Sequence, residues 1–270
     1  MRFIILILIL VLSNSLFAAK IDTVIIFSKA MGKEIPNLVI SPNSSSNSSV
    51  SYPVVYLLHG AGGSFLDWSS NVSGLSQYCD NNELILVCPD AGFNSWYFDS
   101  PVDSSFRYET YITKELITQV DVLYPTIINS KFRAITGLSM GGHGAFYLAI
   151  RNQNIFSFAG SMSGGLDIRP FKNNWSLADR LGDFTSNQKN WEINTVTNMV
   201  KQLDNSDLEL IFDCGKQDFF FEVNNVFHQK LLDNNIPHIY NVNEGSHNWN
   251  YWSKAIFTHL NFFTNKFQQQ

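Results

Sequence analysis

A chain of 270 residues that is 45% apolar and 14% aromatic can bury one large core, which excludes disordered, collagen-like and small disulfide-scaffold classes. Charged residues make up only 15% and the formal net charge is −5, with no Lys/Arg-rich run. Nucleic acid is therefore not an expected partner.

Met1-Arg2, the apolar run Phe3 to Leu12 and the small residues up to Ala18-Ala19 have the layout of a secretory signal: one positive charge, a short apolar segment, then a cleavage site. Residues 1–19 are read as a signal peptide and 20–270 as the functional domain, secreted or periplasmic. An uncleaved N-terminal helix is the alternative, but the run is shorter than the roughly 20 residues that span a bilayer. No stable membrane insertion is expected after cleavage.

Thr23 to Phe27 and Leu38 to Ile40, separated by a turn containing Gly32, predict an opening antiparallel hairpin. The Ser/Asn-rich run Ser41 to Ser49 has no apolar anchor and reads as an exposed loop. Asn43, Asn47, Asn71 and Asn174 fit N-x-S acceptors, which matter only where the source glycosylates. From Pro53 onward short apolar runs alternate with longer amphipathic segments. The runs are Val54 to Leu58, Leu84 to Cys88, Phe132 to Thr136, Phe158 to Met162, Leu208 to Phe212 and Ile239 to Val242, each too short for a helix. Tyr108, Ile112, Leu116, Val120 and Leu123 mark one helical face that must stop at Pro125. Val223, Phe227 and Leu231 repeat that spacing.

Such alternation predicts one α/β domain: a mostly parallel central sheet with helices on both faces. Asp167 to Leu203 lacks a clear strand and predicts a partly helical flap, inserted before the penultimate strand. The three cysteines, Cys79, Cys88 and Cys214, allow at most one disulfide. Cys88 and Cys214 each end a strand-like run and read as small buried residues. No Cys/His spacing suits a metal, and no metal or organic cofactor is expected.

The chemistry centres on Gly137-Leu138-Ser139-Met140-Gly141, which follows a strand and precedes the helical stretch Phe146 to Ile150. G-x-S-x-G in that context puts the serine on a sharp turn above the sheet edge, with flanking glycines relieving crowding. The Met140 amide, at the start of the helix, is a candidate oxyanion donor. A serine hydroxyl needs a base to take its proton and a carboxylate to orient that base. Of six histidines, His247 is the best placed, in the turn after the last strand and just before the final helix. His228, His238 and His259 read as surface or core side chains, and His143 is too near Ser139 on the same helix.

Strand Leu208 to Phe212 runs into Asp213-Cys214-Gly215-Lys216-Gln217-Asp218 and offers two carboxylates. Asp218, beyond Gly215, is favoured; Asp213, at the strand end, is the structural alternative. Val54 to Leu58 empties into His59-Gly60-Ala61-Gly62-Gly63, where absent side chains let backbone amides approach a substrate, and the Ala61 amide is the second oxyanion candidate. His59 is expected only to hold that loop through backbone bonds. Asp67 and Trp68 are expected to start and pack the first helix.

L-L-H-G-A-G-G at 57 to 63, P-D-A-G at 89 to 92, S-W-Y-F-D-S-P at 95 to 101, Y-E-T-Y-I-T-K-E-L at 108 to 116, G-L-S-M-G-G-H-G-A at 137 to 145 and G-S-H-N-W at 245 to 249 appear in order. Together they resemble the esterase branch of the α/β-hydrolases. That branch holds esterase D, tributyrin-type esterases, S-formylglutathione hydrolases, the feruloyl and acetylxylan esterases of carbohydrate esterase family 1, and the antigen 85 mycolyltransferases. The resemblance covers about Ile21 to Phe263. It implies the α/β-hydrolase fold, Ser139, Asp218 and His247 as the catalytic triad, and Ala61 and Met140 as the oxyanion hole.

The expected activity is a serine carboxylic-ester hydrolase working through an acyl-enzyme on short-chain acyl, acetyl or hydroxycinnamoyl esters, small-molecule or polysaccharide-linked. Acyl transfer of the antigen 85 type, thioester hydrolysis of the S-formylglutathione type and non-catalytic binding are the competing readings. Trp96, Tyr97 and Trp249 are the candidate substrate-binding residues, with Trp175, Trp191 and Trp252 as further stacking faces. Core packing is the alternative for each.

Overall fold

A computed structural model describes residues 19–43 and 50–270. Residues 1–18 of the expected signal peptide and most of the Ser/Asn loop, with Asn47, lie outside the described residues. β1 (Lys20–Ser28) and β2 (Lys33–Ser41) form the antiparallel hairpin expected from the sequence, and β2 pairs antiparallel with β4 (Ile85–Pro89). β3 (Val54–Leu58), β5 (Arg133–Gly137), β6 (Phe158–Met162), β7 (Glu209–Gly215) and β8 (His238–Asn243) complete an eight-stranded sheet ordered β1-β2-β4-β3-β5-β6-β7-β8. From β4 to β8 every pairing is parallel. β3 to β6 are buried throughout, which is why β3 and β4 read as unbroken apolar runs and why β5 and β6 show no polar–apolar alternation.

Helices cover both faces. The short α1 (Asp67–Asn71), α2 (Leu75–Asn82) and the long α9 (Trp249–Phe267) close one side, packing Trp68, Leu75, Ile256, Leu260 and Phe263 on the sheet. As expected, Asp67 and Trp68 open α1, and the Trp68 indole donates to Leu58 O at 3.2 Å. The opposite face carries α3 (Tyr108–Thr110), α4 (Ile117–Leu123), α5 (Met140–Arg151), α6 (Leu177–Leu181), α7 (Gln188–Ile193) and α8 (Phe221–Asp233).

A π-helical stretch, Tyr111–Leu116, joins α3 to α4. Apolar residues repeating every fourth position drift around an α-helix, and a wider turn returns them to the core side. Tyr108, Ile112, Leu116 and Val120 are buried in consequence, whereas Leu123, assigned to that face from the sequence, is exposed at the helix end.

Asp167 to Leu203 contains no strand, as expected, but it is not a flap. Leu177, Leu181, Trp191, Val196, Met199 and Leu203 are buried in the same core as α5 and α8. Arg180 locks the segment to the 94–107 loop: its guanidinium lies 3.4 Å from the Phe106 ring centre and 2.9 Å from Asp103 Oδ2, and its carbonyl accepts from Ser100 Oγ at 2.6 Å. Cys79, Cys88 and Cys214 are unpaired and buried, and burial pushes the Cys88 thiol up to about 12.

Candidate active site

The strand order reverses between β3 and β5: the chain leaves β3 for β4 on one side and returns to β5 on the other. In open α/β sheets the crevice outside the carboxyl ends of the strands at such a point receives ligands. Here it gathers the Gly-rich loop after β3, Ser139 after β5, and the loops after β7 and β8.

Ser139 sits between β5 and α5 at φ 56°, ψ −117°, a conformation L-residues adopt only when the surroundings impose it, at a cost of about 1–3 kcal/mol. Gly141 explains how it is imposed. A Cβ there would collide with the Leu58 and His59 carbonyls, and one on Gly137 would lie 2.6 Å from the Gly141 carbonyl. Only glycines let the start of α5 press against the end of β3, and that contact forces the sharp turn. The Ser139 amide donates to Met162 O at 2.9 Å, fixing the turn to β6 as well.

The structure brings the three expected side chains together. His247 Nδ1 contacts Asp218 Oδ2 at 2.8 Å and Oδ1 at 3.0 Å, and Nε2 lies 2.8 Å from Ser139 Oγ. A carboxylate can only accept, so Nδ1 donates and Nε2 is left to accept the serine proton. Asp218 is itself fixed by the Phe220 amide, which donates to Oδ1 at 2.8 Å. Phe219, Phe220 and Trp252 surround the imidazole at ring-centre separations of 4.2, 5.3 and 4.8 Å. Asp213 does not take part; it lies in β7, hydrogen-bonded to His259.

Ala61 lies in the loop after β3 and Met140 is the first residue of α5. Among the described residues neither amide donates to a backbone carbonyl. His59 holds the loop as expected: its Nδ1–H donates to Gly60 O at 2.8 Å and its Nε2 accepts from the Ala91 amide at 2.9 Å. Burial lowers its pKa and keeps the ring neutral, as that pattern requires. His143 is likewise buried and donates to Asn194 O, and His228 and His238 bond each other at 2.7 Å.

The proposed stacking residues need correcting. Trp96 and Tyr97 are 1% and 0% exposed, so neither offers a ring face. Both have positive φ, 55° and 62°, and are clamped by bonds from the Trp96 amide to Met140 Sδ and from the Tyr97 hydroxyl to His59 O. They support the loop after β3 and the start of α5 from behind. Trp249 is half-buried against Trp68 and Trp252, and Trp191 is wholly buried.

The aromatic rings that do reach the surface are others. Phe219 is 51% exposed and stacks on Trp175 at 5.7 Å with 20° between planes, and Phe93, 67% exposed, stands near Gly62. The aromatic run Phe219-Phe220-Phe221 directly after Asp218 was the available signal in the sequence, and of it Phe219 reaches the surface while Phe220 is buried. Among the described residues no three His, Cys, Asp or Glu side chains gather as a metal set, and no helix is long and apolar enough to cross a membrane.

A strained serine at a strand-to-helix turn, hydrogen-bonded in line to a histidine and a buried aspartate, defines a serine-hydrolase type of site on an α/β-hydrolase sheet. The chain belongs to the family described as "Putative esterase", which matches residues 28–263, and the protein is an esterase. It is 25% identical over 249 residues to an acetyl esterase of Caldicellulosiruptor saccharolyticus, covering 85% of this chain and 92% of that one. An S-formylglutathione hydrolase of Bos taurus is 26% identical over 234 residues, 77% of this chain and 81% of the relative. The solved structure of a ferulic acid esterase superposes with a TM-score of 0.79 at 29% identity, over 93% of this chain and all of the other.

Proposed function

We propose that Ser139, His247 and Asp218 form a catalytic triad that hydrolyses carboxylic esters through an acyl-enzyme, with the Ala61 and Met140 amides as the oxyanion hole. The observation that carries this reading is the unbroken Ser139–His247–Asp218 hydrogen-bond line at the strained turn. His247 Nε2 takes the serine proton as Oγ attacks the ester carbonyl. The negative charge on the carbonyl oxygen is received by the two amides, a term worth about 10²–10³ in rate for one donor. The C–O bond then breaks, with His247 protonating the leaving alkoxide. Water enters, gives its proton to the same nitrogen as it attacks the acyl carbon, and His247 returns that proton to Ser139 Oγ as the acyl–Oγ bond breaks and the acid is released. Asp218 keeps Nδ1 protonated, so Nε2 is always the nitrogen that faces the reaction.

The substrate class is short-chain acyl, acetyl or hydroxycinnamoyl esters, free or attached to carbohydrate. The exposed Phe219 beside His247, stacked on the half-buried Trp175, supports an aromatic or apolar acyl group, as do the names of the acetyl and ferulic acid esterase relatives. A secreted or periplasmic site of action is supported by the apolar run Phe3 to Leu12 behind Arg2. Release of acid from p-nitrophenyl acetate, methyl ferulate and acetylated xylan, by wild type and Ser139→Ala, tests the reading. Loss of every activity in the variant is expected, and activity retained there contradicts it. The bovine relative favours thioester hydrolysis as a second reading, which turnover of S-formylglutathione faster than of any oxygen ester establishes.

A further inference from the structure

On the face of the sheet covered by α9, a second hydroxyl–imidazole–carboxylate line lies wholly inside the protein. His259 Nε2 is 2.6 Å from Asp213 Oδ2, and His259 Nδ1 is 2.9 Å from Thr136 Oγ1. The carboxylate accepts, so His259 donates from Nε2 and receives the Thr136 hydroxyl proton at Nδ1. Thr136 and His259 are 0% exposed and Asp213 2%, so no substrate reaches this line.

Its placement is informative. Thr136 lies near the end of β5, three residues before Ser139, Asp213 lies on β7 just before the Asp218 loop, and His259 is on α9, the helix that follows His247. One imidazole thus ties together the three elements that carry the three triad members. To do so it must cross β6, which lies between β5 and β7. Gly160 of β6 makes this possible: a Cβ there would run into His259 Nδ1 and stand 2.6 Å from Thr136 Oγ1. A glycine inside a buried strand weakens it unless another group needs the space, and here the imidazole occupies it. Asp213 Oδ1 makes no hydrogen bond among the described residues, and the Tyr251 hydroxyl also faces this carboxylate, so the bond from His259 is its direct tie to α9 and Thr136.

We propose that His259 is a positioning residue for the esterase reaction: through Thr136 and Asp213 it sets the spacing of β5, β7 and α9 on which the Ser139–His247–Asp218 geometry depends. The inference rests on the triad assigned above. A displacement of about 1 Å in reacting groups can cost on the order of a hundredfold in rate without touching substrate contacts, so the effect belongs in kcat rather than KM.

The test is steady-state hydrolysis of p-nitrophenyl acetate, normalised to sites titrated with a fluorophosphonate probe, well below the unfolding temperature. His259→Leu should lower kcat by about ten- to a hundredfold with KM within about threefold of wild type. His259→Gln, which still offers an N–H to Asp213 and a carbonyl to Thr136, should recover most of it. Thr136→Val, which removes only the hydroxyl end of the line, should lower kcat more modestly and serves in its own right if His259→Leu does not fold. Wild-type kcat per titrated site in His259→Leu, or in Thr136→Val where that is the variant obtained, overturns the proposal whatever the change in Tm. So does a Gln variant no better than Leu. Ser139→Ala, assayed alongside, separates the two claims: an active Ser139→Ala sinks the triad, whereas a dead Ser139→Ala with a fully active His259→Leu sinks only the positioning role.

Discussion

Asp213 and Asp218 stand on one strand-to-loop passage, Asp213 within β7 and Asp218 beyond its end at Gly215, yet they bond different histidines. Asp218 reaches His247 and Asp213 reaches His259. Asp218→Asn keeps the shape but offers an N–H where Nδ1 must donate, favouring the wrong tautomer. A fall in kcat of about 10³–10⁴ is expected, with KM nearly unchanged, and a fall of less than tenfold in kcat would contradict the assignment. His143 supplies a stability prediction. Burial lowers its pKa from 6.5 to about 4, so below about 6.5 the unfolded chain takes up a proton that the folded protein refuses. Its contribution is complete above that pH and is lost as pH falls toward about 4, to the extent of about 3 kcal/mol. Urea unfolding at pH 7 and pH 4.5 should show wild type losing more stability than His143→Gln, and equal losses would refute the sign. Ser139 and His247 were legible because G-x-S-x-G and a histidine after the last strand are local signals. The burial of Trp96 and Tyr97 was not, because it depends on positive-φ turns that bury rings a loop would otherwise display.

At the scale of elements, the order of strands and helices could be read from the lengths of apolar runs, since both faces of a parallel sheet are covered and alternation vanishes. The π-helical turn at Tyr111–Leu116 was implicit in the four-residue spacing of Tyr108, Ile112, Leu116 and Val120, but not distinguishable there from an ordinary helix. Asp167 to Leu203 reads as a flap because it lacks a clear strand and falls between two of them. Folding collects its apolar residues: Leu177, Leu181, Trp191 and Val196 enter the main core, so excising the segment would open that core rather than trim a pocket. Selectivity is better probed at its rim. Trp175→Ala and Phe219→Ala should each reduce kcat/KM for methyl ferulate by about tenfold, in line with loss of an aromatic contact of roughly 1.4 kcal/mol. Both should leave p-nitrophenyl acetate within about threefold. Equal loss on both esters would mean that the pair supports His247 rather than the acyl group.

For the whole molecule, the reversal of strand order between β3 and β5 explains why loops far apart in sequence converge on Ser139, a fact no local pattern contains. Three buried, unpaired thiols make stability independent of disulfide chemistry. The Tm should be the same with and without a reductant, and a thiol reagent should find its targets only after unfolding; a Tm lowered by reductant would reveal a bridge. The central claim, an acyl-enzyme on Ser139, is tested most directly by mass spectrometry of the protein quenched in acid during turnover of p-nitrophenyl acetate. A mass gain of one acetyl group, mapped to the peptide containing Ser139 and absent from Ser139→Ala, is the expected result. An acetyl group found elsewhere, or turnover undiminished in Ser139→Ala, would contradict it.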